Sequence, residues 1–494
     1  MQFISTRGKS SAANAAEAIS KGIADDGGLF VPVSFPDLSE KLADMADMNY
    51  ADRAALVIGS FLTEYDKREL LSACVKAYGQ FEDGDAAPLV KTDDGMFILE
   101  LFHGPTLAFK DIALTLLPYL LRAGSDIYGV KEEILILTAT SGDTGKAALE
   151  GFKDREGVKI MVFYPSEGVS DMQKLQMSTQ EGKNVRVLAV SGNFDDCQTA
   201  VKKAFADAEL KAALKKEGVV TSSANSINFG RLVPQIAYYF SSYADLLSSG
   251  EIAAGEKVNF VVPTGNFGNI LAGYYAKRMG LPVNKLICAS NSNNVLTDFF
   301  GTGTYNARRK FYKTMSPSMD ILISSNLERL IFEFSGRDAA LTEKRMAELR
   351  EKGVYSVSEQ ELGAIKEIFY ADCCGEEECL DSISEFFEEY GYVADPHTAV
   401  AVNAMYKYKE RYKDDRCCIV VSTASPYKFP SSVYFALTGK EEADAFRAAD
   451  MLYKHTAYPV PQQILSLKKK TPRFTEVISG KDVEKAVLSF AAEK

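Results

Sequence analysis

Beyond residue 110 the chain repeats one pattern: a short apolar run, a polar loop and then an amphipathic stretch. The apolar runs predict strands at residues 134–138, 159–164, 185–190, 258–262, 286–290 and 417–422. Continuous apolar strands separated by helices indicate parallel sheets that are covered on both faces. In such sheets ligands bind beyond the carboxyl ends of the strands, where the loops gather. The pattern therefore predicts an α/β fold with its binding residues in those loops.

Length and pattern together predict three segments. At 494 residues the chain exceeds the size of a single core. Residues 1–90 have helical periodicity and no glycine-rich loop after a strand, which favours a small, mostly helical N-terminal domain. Residues 91–430 carry the strand pattern and include an acidic helical segment, 335–390, that is interpreted as an insertion or cap. Residues 431–494 are expected to form a C-terminal helical segment.

Charge and composition exclude several classes of function. The net charge is −11, which argues against a nucleic-acid-binding surface because such a surface requires a basic face. No apolar run approaches the roughly 18 residues of a membrane helix, and no apolar signal segment follows Met1. The eight cysteines are dispersed, with no zinc-binding spacing, so reduced thiols and no metal are expected. A cytoplasmic protein without nucleic-acid or membrane partners is predicted.

Lys110 lies in a stretch, LFHGPTLAFKDI, that is otherwise almost entirely apolar or turn-forming. Burying an ammonium group is costly unless its charge is lost or paired. One interpretation is a surface lysine that begins a helix. The other is a desolvated amine with a lowered pKa, ready to form a Schiff base with an aldehyde. The local spacing leaves both open.

The strongest local motif is PTGNFGN, which follows an apolar strand and precedes a predicted helix. Its glycines allow the backbone to turn successive N–H groups toward one point, and a helix N-terminus at that point favours a phosphate. A plain strand-to-helix turn with an asparagine cap is the alternative. The candidate phosphate ligands are Gly265, Asn266, Phe267, Gly268 and Asn269.

The motif TSGDTGK, residues 140–146, is similar to a nucleotide-binding P-loop but lacks two of its features. Thr140 stands where the first glycine is needed, and Ala147 stands where a hydroxyl would hold magnesium. A polar loop at a helix start still suits an anionic group such as a carboxylate, although it can also serve as a cap alone.

Two further polar segments complete the set of candidates. Residues 422–428, STASPYK, follow the last apolar strand, where a hydroxyl can bond to a ring nitrogen or cap a turn. Residues 225–231, NSINFGR, end in Arg231, which can hold a phosphate bidentately or form a surface ion pair.

Four of these motifs, HGPTLAFKD, TSGDTG, PTGNFGN and STASPYKF, occur in the order and at the spacing of one family. The chain resembles the threonine synthases, pyridoxal-phosphate enzymes of the tryptophan-synthase-β fold type, over most of its length. FISTRG and DGGLFVP near the start are similar to that family's N-terminal domain in its short microbial and fungal branch. The resemblance implies fold type II: two doubly wound parallel-sheet subdomains and a small, mostly helical N-terminal domain.

The resemblance also implies a role for each candidate. Lys110 would be the catalytic lysine that binds the cofactor, residues 265–269 would hold the cofactor phosphate, and Thr423 would face the pyridine nitrogen. Asp143 would lie near the cofactor's O3′. The implied substrate-binding residues are Ser141, Gly142, Thr144, Asn228, Arg231 and Lys428.

The implied reaction converts O-phospho-L-homoserine and water to L-threonine and phosphate by γ-elimination and β-hydration, the last step of threonine biosynthesis. A phospho-lyase or dehydratase of the same fold is an alternative, because elimination shares every early step. A non-catalytic phosphate-binding protein is the other alternative. A monomer or weak homodimer is expected.

Overall fold

The computed structural model describes residues 1–10, 13–140, 142–167, 169 and 171–493. Its strands are β1 (Gln2–Ser5), β2 (Ala13–Asn14), β3 (Phe30–Pro32), β4 (Leu89–Asp93), β5 (Met96–Glu100), β6 (Glu133–Ala139), β7 (Val158–Pro165), β8 (Val185–Val190), β9 (Val219–Ser222), β10 (Val258–Pro263), β11 (Val283–Ser290), β12 (Thr304–Asn306), β13 (Val354–Ser356), β14 (Phe369–Cys373), β15 (Cys418–Ser422) and β16 (Val477–Ile478). Its α-helices are α1 (Ala15–Lys21), α2 (Leu42–Met45), α3 (Tyr50–Phe61), α4 (Lys67–Tyr78), α5 (Lys110–Leu114), α6 (Leu117–Tyr128), α7 (Asp143–Phe152), α8 (Asp171–Ser178), α9 (Phe194–Ala206), α10 (Ala208–Lys216), α11 (Phe229–Ser248), α12 (Gly268–Arg278), α13 (Val295–Thr302), α14 (Leu327–Phe334), α15 (Ala339–Lys352), α16 (Glu359–Ile368), α17 (Glu376–Tyr390), α18 (Pro396–Tyr412), α19 (Pro430–Thr438), α20 (Ala445–Thr456), α21 (Gln462–Leu467) and α22 (Val483–Ala492).

Two sheets organise the fold. The larger has six strands in the order β14-β11-β10-β15-β5-β4, and all neighbours are parallel except β4 and β5. The smaller has five parallel strands in the order β16-β8-β7-β6-β9. Non-sequential neighbours of this kind require crossover connections, and helices supply them. The prediction of parallel sheets is confirmed.

Both faces of each sheet are buried, because successive side chains of a strand point to opposite sides. In β10, Phe260 and Val262 pack into one apolar cluster while Val261 packs into another. In β6, Ile136 and Leu137 likewise belong to different clusters. Two buried faces explain why these strands read as continuous apolar runs rather than as an alternation.

All six predicted strands are present, and β8 agrees with its prediction at both ends. The other strands were not predicted. The N-terminal region contains a three-stranded antiparallel sheet, β2-β1-β3, beside its helices. The interpretation of residues 335–390 as an insertion or cap is wrong for β14, which pairs with β11 at the edge of the larger sheet. The C-terminal segment is helical, but β16 returns to pair with β8.

The N-terminal region shares its core with the remainder of the chain. Its buried side chains, such as Phe3, Ile58 and Phe61, lie in the same apolar cluster as Phe229 and Tyr239 of α11. The ring of Phe229 makes edge-on contacts with both Phe3 and Phe61. Among the described residues, no helix is both long and apolar enough to cross a membrane.

Gly151 allows α7 to pack directly against the C-terminal end of α5, the helix that begins at Lys110. A Cβ at Gly151 would lie 2.1 Å from the carbonyl oxygen of Leu114, so Gly151→Ala must displace backbone. We expect it to lower the free energy of unfolding by about 2 kcal/mol or more in urea titration. Gly363→Ala in α16 is the control, because its Cβ would meet no atom within 4 Å. That change should stabilise by about 0.5 kcal/mol or more, and equal effects of the two variants would contradict the packing argument.

Candidate active site

The loop before Lys110 is joined to the loop after β15. The backbone N–H of Phe109 donates to the carbonyl of Thr423 over 2.9 Å, and the N–H of Ser425 donates to the carbonyl of Leu107 over 3.1 Å. Leu107 adopts a left-handed conformation with φ of 61°. Because β15 is a central strand of the larger sheet, these bonds place Lys110 at the carboxyl ends of its strands, where the predicted binding loops gather.

Lys110 contacts residues from both halves of the molecule. Its Nζ lies 3.4 Å from Oδ2 of Asp143, at the start of the helix that follows β6 of the smaller sheet. It also donates to Oγ of Ser318 over 3.3 Å. Lys428, beyond β15, places its Nζ 2.9 Å from Oδ1 of Asp143 and donates to the carbonyl of Thr106. The structure therefore brings together Lys110, Asp143 and Lys428 between the two sheets.

Burial lowers the pKa of Lys110, and the positive charges of Lys428 and Arg231 lower it further, while Asp143 opposes the shift. Burial alone would raise the pKa of Asp143, but the ammonium groups of Lys428 and Lys110 outweigh it and hold that pKa well below its usual range. Of the two interpretations of Lys110, the structure favours the desolvated amine, whose neutral form is the reactive one.

The PTGNFGN loop offers a row of free donors. Within the described ranges, no backbone N–H of residues 265–270 donates to an acceptor of the chain. The carbonyls of the loop are held from behind, since Ser324 Oγ donates to Gly265 O over 2.7 Å and Asn326 Nδ2 donates to Asn266 O over 3.0 Å. Phe267 adopts a φ of 65°, which turns the chain into α12. We call the N–H groups of residues 265–270 the cradle.

Asn269 adds a side-chain donor to the cradle. Its Oδ1 accepts from Tyr238 Oη over 2.6 Å and from Tyr239 Oη over 2.8 Å. Its Nδ2 is buried and has no hydrogen-bond partner in the described chain. Buried donors without partners are rare and call for an acceptor, and the oxygens of an anion such as a phosphate are acceptors of this kind.

The remaining cofactor and carboxylate candidates lie at the same end of the sheets. The Thr423 side chain is buried, and its hydroxyl has no partner among the described residues. The N–H of Gly142 donates to Oγ1 of Thr140 over 3.1 Å and is therefore not free for a ligand. Thr144 is half-buried in the first turn of α7. Neither its N–H nor its hydroxyl has a hydrogen-bond partner among the described residues. Ser141 lies outside the described residues.

The two substrate-binding candidates at the start of α11, Arg231 and Asn228, differ in their bonding. Arg231 is 3% exposed, donates to the carbonyl of Ala224 and leaves Nε without a partner. No carboxylate in the described ranges forms an ion pair with it. Asn228 instead caps α11, accepting from Gly230 N–H and donating to the carbonyls of Ile19 and Ser223. Its predicted substrate contact therefore finds no support in its bonding, whereas Arg231 retains capacity for an anion.

Three family models match the chain in sequence order. "Threonine synthase N terminus" matches residues 2–78, "Pyridoxal-phosphate dependent enzyme" matches residues 87–423, and "Threonine synthase, C-terminal" matches residues 398–487. The chain belongs to the threonine synthase family. Pyridoxal phosphate is the cofactor of the enzymes that the central model describes. The resemblance and the cofactor inferred from the motifs are confirmed.

Individual relatives match over nearly the whole of this chain. The chain is 38% identical to that of Pseudomonas aeruginosa, over 91% of this chain and 93% of the relative. It is 39% identical to threonine synthase-like 1 of Pongo abelii, over 100% of this chain and 68% of that protein. The crystal structure of the pyridoxal-phosphate-bound threonine synthase from Brucella melitensis superimposes with a TM-score of 0.89, at 38% identity, over 100% of both chains.

This threonine synthase family member has two site residues that its motifs did not reveal. Ser318 bridges Lys110 and Asp143, donating to Asp143 Oδ2 over 3.2 Å. Its backbone N–H donates to Nε2 of His397 over 3.1 Å, so the ring proton is assigned to Nδ1, which faces Asp395 Oδ1 at 2.7 Å. Ser318 lies in a single 3₁₀ turn, Pro317–Met319, which is too short to have a periodic pattern, whereas His397 follows Asp395-Pro396 at a recognisable helix start.

Asp143→Asn should change the pH dependence of cofactor uptake. The Asp143 carboxylate raises the pKa of Lys110, so its removal should lower that pKa and leave the charges of Lys428 and Arg231 unopposed. We expect cofactor-free protein to take up pyridoxal phosphate with a midpoint at lower pH than the wild type. Glu150→Gln, on the same helix but paired with Lys146, is the control and should not move the midpoint. An unchanged or higher midpoint for Asp143→Asn would contradict the electrostatic role.

Proposed function

We propose that the protein is a threonine synthase that converts O-phospho-L-homoserine and water to L-threonine and phosphate with pyridoxal phosphate, and hence a carbon–oxygen lyase acting on phosphates. The observation that carries the proposal is the setting of Lys110. Its buried amine contacts Asp143, lies in the field of the unpaired Arg231, and stands at the sheet end that carries the free N–H cradle.

The residues present fit the cofactor. The free N–H groups of the cradle and Asn269 Nδ2 provide donors for its phosphate, and the Thr423 hydroxyl provides a neutral partner for its ring nitrogen. Lys110 supplies the amine that holds its aldehyde carbon. When bound, pyridoxal phosphate supplies a ring that accepts electrons from bonds at the substrate Cα.

Lys110 is then the proton carrier. Once its amine is free, its Nζ takes the proton from the substrate Cα and returns one at the end of the reaction. Asp143 and Ser318 both contact Nζ and restrict its position, and Lys428 holds Asp143 in turn. A base of lowered pKa that is fixed by two contacts suits this role.

Two anionic groups of the substrate need positive partners. Arg231 has a buried guanidinium with unused donors and, among the residues that the structure describes, no carboxylate to neutralise it, so we assign it the γ-phosphate that leaves. The free N–H and hydroxyl of Thr144, at the N-terminus of α7, are assigned to the substrate carboxylate. Lys428 is already paired with Asp143 and is assigned a positioning role instead.

The test is a product analysis with purified protein, pyridoxal phosphate and O-phospho-L-homoserine. We expect phosphate and L-threonine to form in equal amounts. Phosphate with 2-oxobutyrate in place of threonine would identify the phospho-lyase alternative, which eliminates without adding water at Cβ. Absence of both phosphate and threonine would contradict an enzyme acting on this substrate.

The proposal includes two further assignments, a cytoplasmic location and a monomeric or weakly dimeric state. The acidic net charge of −11 and the family membership support a soluble amino-acid biosynthetic enzyme. Size-exclusion chromatography over a range of protein concentrations tests the second assignment, which a stable dimer or larger assembly at low concentration would contradict.

A further inference from the structure

Asn326 holds the back of the cradle. It is fully buried, and both its backbone N–H and its Nδ2 donate to the carbonyl of Asn266, over 3.1 and 3.0 Å. With Ser324 on the carbonyl of Gly265, these bonds keep the loop carbonyls on the side away from the free N–H groups. The direction in which the cradle donors point therefore depends on how the Asn326 side chain is oriented.

Arg329 determines that orientation. Its guanidinium donates to Oδ1 of Asn326, and because arginine has only donors, the amide oxygen must face it and Nδ2 must face the cradle. Two of its other donors go to the carbonyls of Phe30, over 3.0 Å, and Ile227, over 2.6 Å. Ile227 belongs to the loop that leads into α11 and Arg231. One side chain thus joins the cradle support, the start of α11 and the N-terminal region.

The two N-terminal motifs meet at this point. DGGLFVP contains Phe30, whose carbonyl binds Arg329. FISTRG contains Thr6 and Arg7, which both bind the neighbouring Glu328: Thr6 Oγ1 over 2.6 Å, and Arg7 bidentately over 3.0 and 2.9 Å. These contacts fix the start of α14 against β1 and β3.

The charge of Arg329 is not neutralised locally. Its three acceptors are uncharged oxygens, and the described residues include no carboxylate within ion-pair distance of it. The neighbouring carboxylate of Glu328 is already paired with Arg7. Burial lowers the pKa of Arg329 to about 10, which leaves it protonated at neutral pH. A buried cation behind a row of N–H donors favours a dianion in front of them.

We propose that Arg329 is a positioning residue for the cofactor phosphate, acting through Asn326 on the cradle and held in place by the N-terminal region. The inference rests on the proposed function, in which the cradle binds that phosphate. It assigns the N-terminal FISTRG and DGGLFVP motifs to cofactor retention rather than to substrate contact.

The first test compares Arg329→Met with Arg53→Met. Arg53 is likewise a buried arginine, but it lies in α3 of the N-terminal region. It donates to the carbonyl of Met45 and pairs with Asp245, and it has no bond to the cradle or to Asn326. Both variants should lose stability in urea titration, since Arg329→Met leaves three oxygens without their donor and Arg53→Met leaves Asp245 without its cation. Only Arg329→Met should also raise the dissociation constant of pyridoxal phosphate, by about ten-fold or more, the order expected for losing charge-assisted hydrogen bonds. It should also shift the 31P resonance of the bound cofactor.

Asn326→Asp is the second test, for the case in which Arg329→Met does not fold. The substitution keeps an oxygen for Arg329 but replaces the Nδ2 donor to Asn266 with a second oxygen, so it should weaken cofactor binding and shift the 31P resonance. Normal cofactor affinity and an unchanged 31P shift in Asn326→Asp, or in a folded Arg329→Met, would overturn the inference. If the wild type itself failed to bind pyridoxal phosphate, the proposed function would be the part that fails.

Discussion

Lys110→Ala should lower turnover by at least about 1,000-fold, because it removes both the amine that holds the cofactor and the base at the substrate Cα. The variant should also lose the visible absorbance of covalently bound pyridoxal phosphate and release the cofactor on gel filtration. The site should otherwise remain folded, since within the described residues the Lys110 side chain makes only two polar contacts, with Asp143 and Ser318. Absorbance spectra and phosphate release of the same samples provide the measurement.

Lys146→Ala is the matched control for that experiment. Lys146 is also shielded from solvent, and burial lowers its pKa, but its ammonium pairs with Glu150 and binds Gln180. If low polarity around a lysine were sufficient for cofactor attachment, Lys146 would compete with Lys110. We expect Lys146→Ala to keep the absorbance and most of the activity. Retention of both properties in Lys110→Ala would contradict the central assignment.

Arg231→Met should lower kcat/KM for O-phospho-L-homoserine by about 100-fold or more while leaving the cofactor absorbance intact. A buried cation that contacts a dianion contributes on the order of 2–3 kcal/mol or more when its charge is satisfied only by the ligand. The ligand-free protein should be at least as stable as the wild type, because the substitution removes a buried charge that has no carboxylate partner. Urea titration and steady-state kinetics measure the two effects.

Arg345→Met gives the opposite pattern and serves as the control for Arg231. Arg345 is also buried, but it forms a bidentate pair with Glu361, with both distances 2.7 Å. Its removal should destabilise the protein, since it leaves a carboxylate without its partner, and should not change KM. If Arg231→Met were as destabilising as Arg345→Met and kept its kcat/KM, the proposed phosphate contact would be wrong.

The sheets of this fold are predictable from the sequence because their strands are buried on both faces. Predominantly apolar runs make β7, β8, β10 and β11, of six to eight residues, visible without any tertiary information. The missed strands include the two-residue β2 and β16, which depend on a partner strand that lies beside them. The hydrogen bonds of these two strands depend on the tertiary structure, and no local sequence pattern encodes them.

The residues of the candidate site likewise fall into those that a local sequence pattern reveals and those that only the fold reveals. Loops at strand ends, such as PTGNFGN, are visible because glycine and a helix start have local signatures. The distinction between Arg231 and Asn228 is not local: both occur in one polar stretch, and only the fold shows that Asn228 is consumed by helix capping while Arg231 keeps free donors. Ser318, in a 3₁₀ turn, and Asn326, at the start of α14, act on residues that lie far away from them in sequence.

The central claim is that Lys110 is the residue that carries the cofactor, and borohydride reduction of the purified holoprotein tests it most directly. Reduction fixes pyridoxal phosphate to the amine that holds it, and peptide mapping by mass spectrometry then locates the label. We expect one label per chain, on Lys110, in the peptide that contains LAFKD. A label on any other lysine, or a reduced protein with no label, would show that Lys110 does not carry the cofactor.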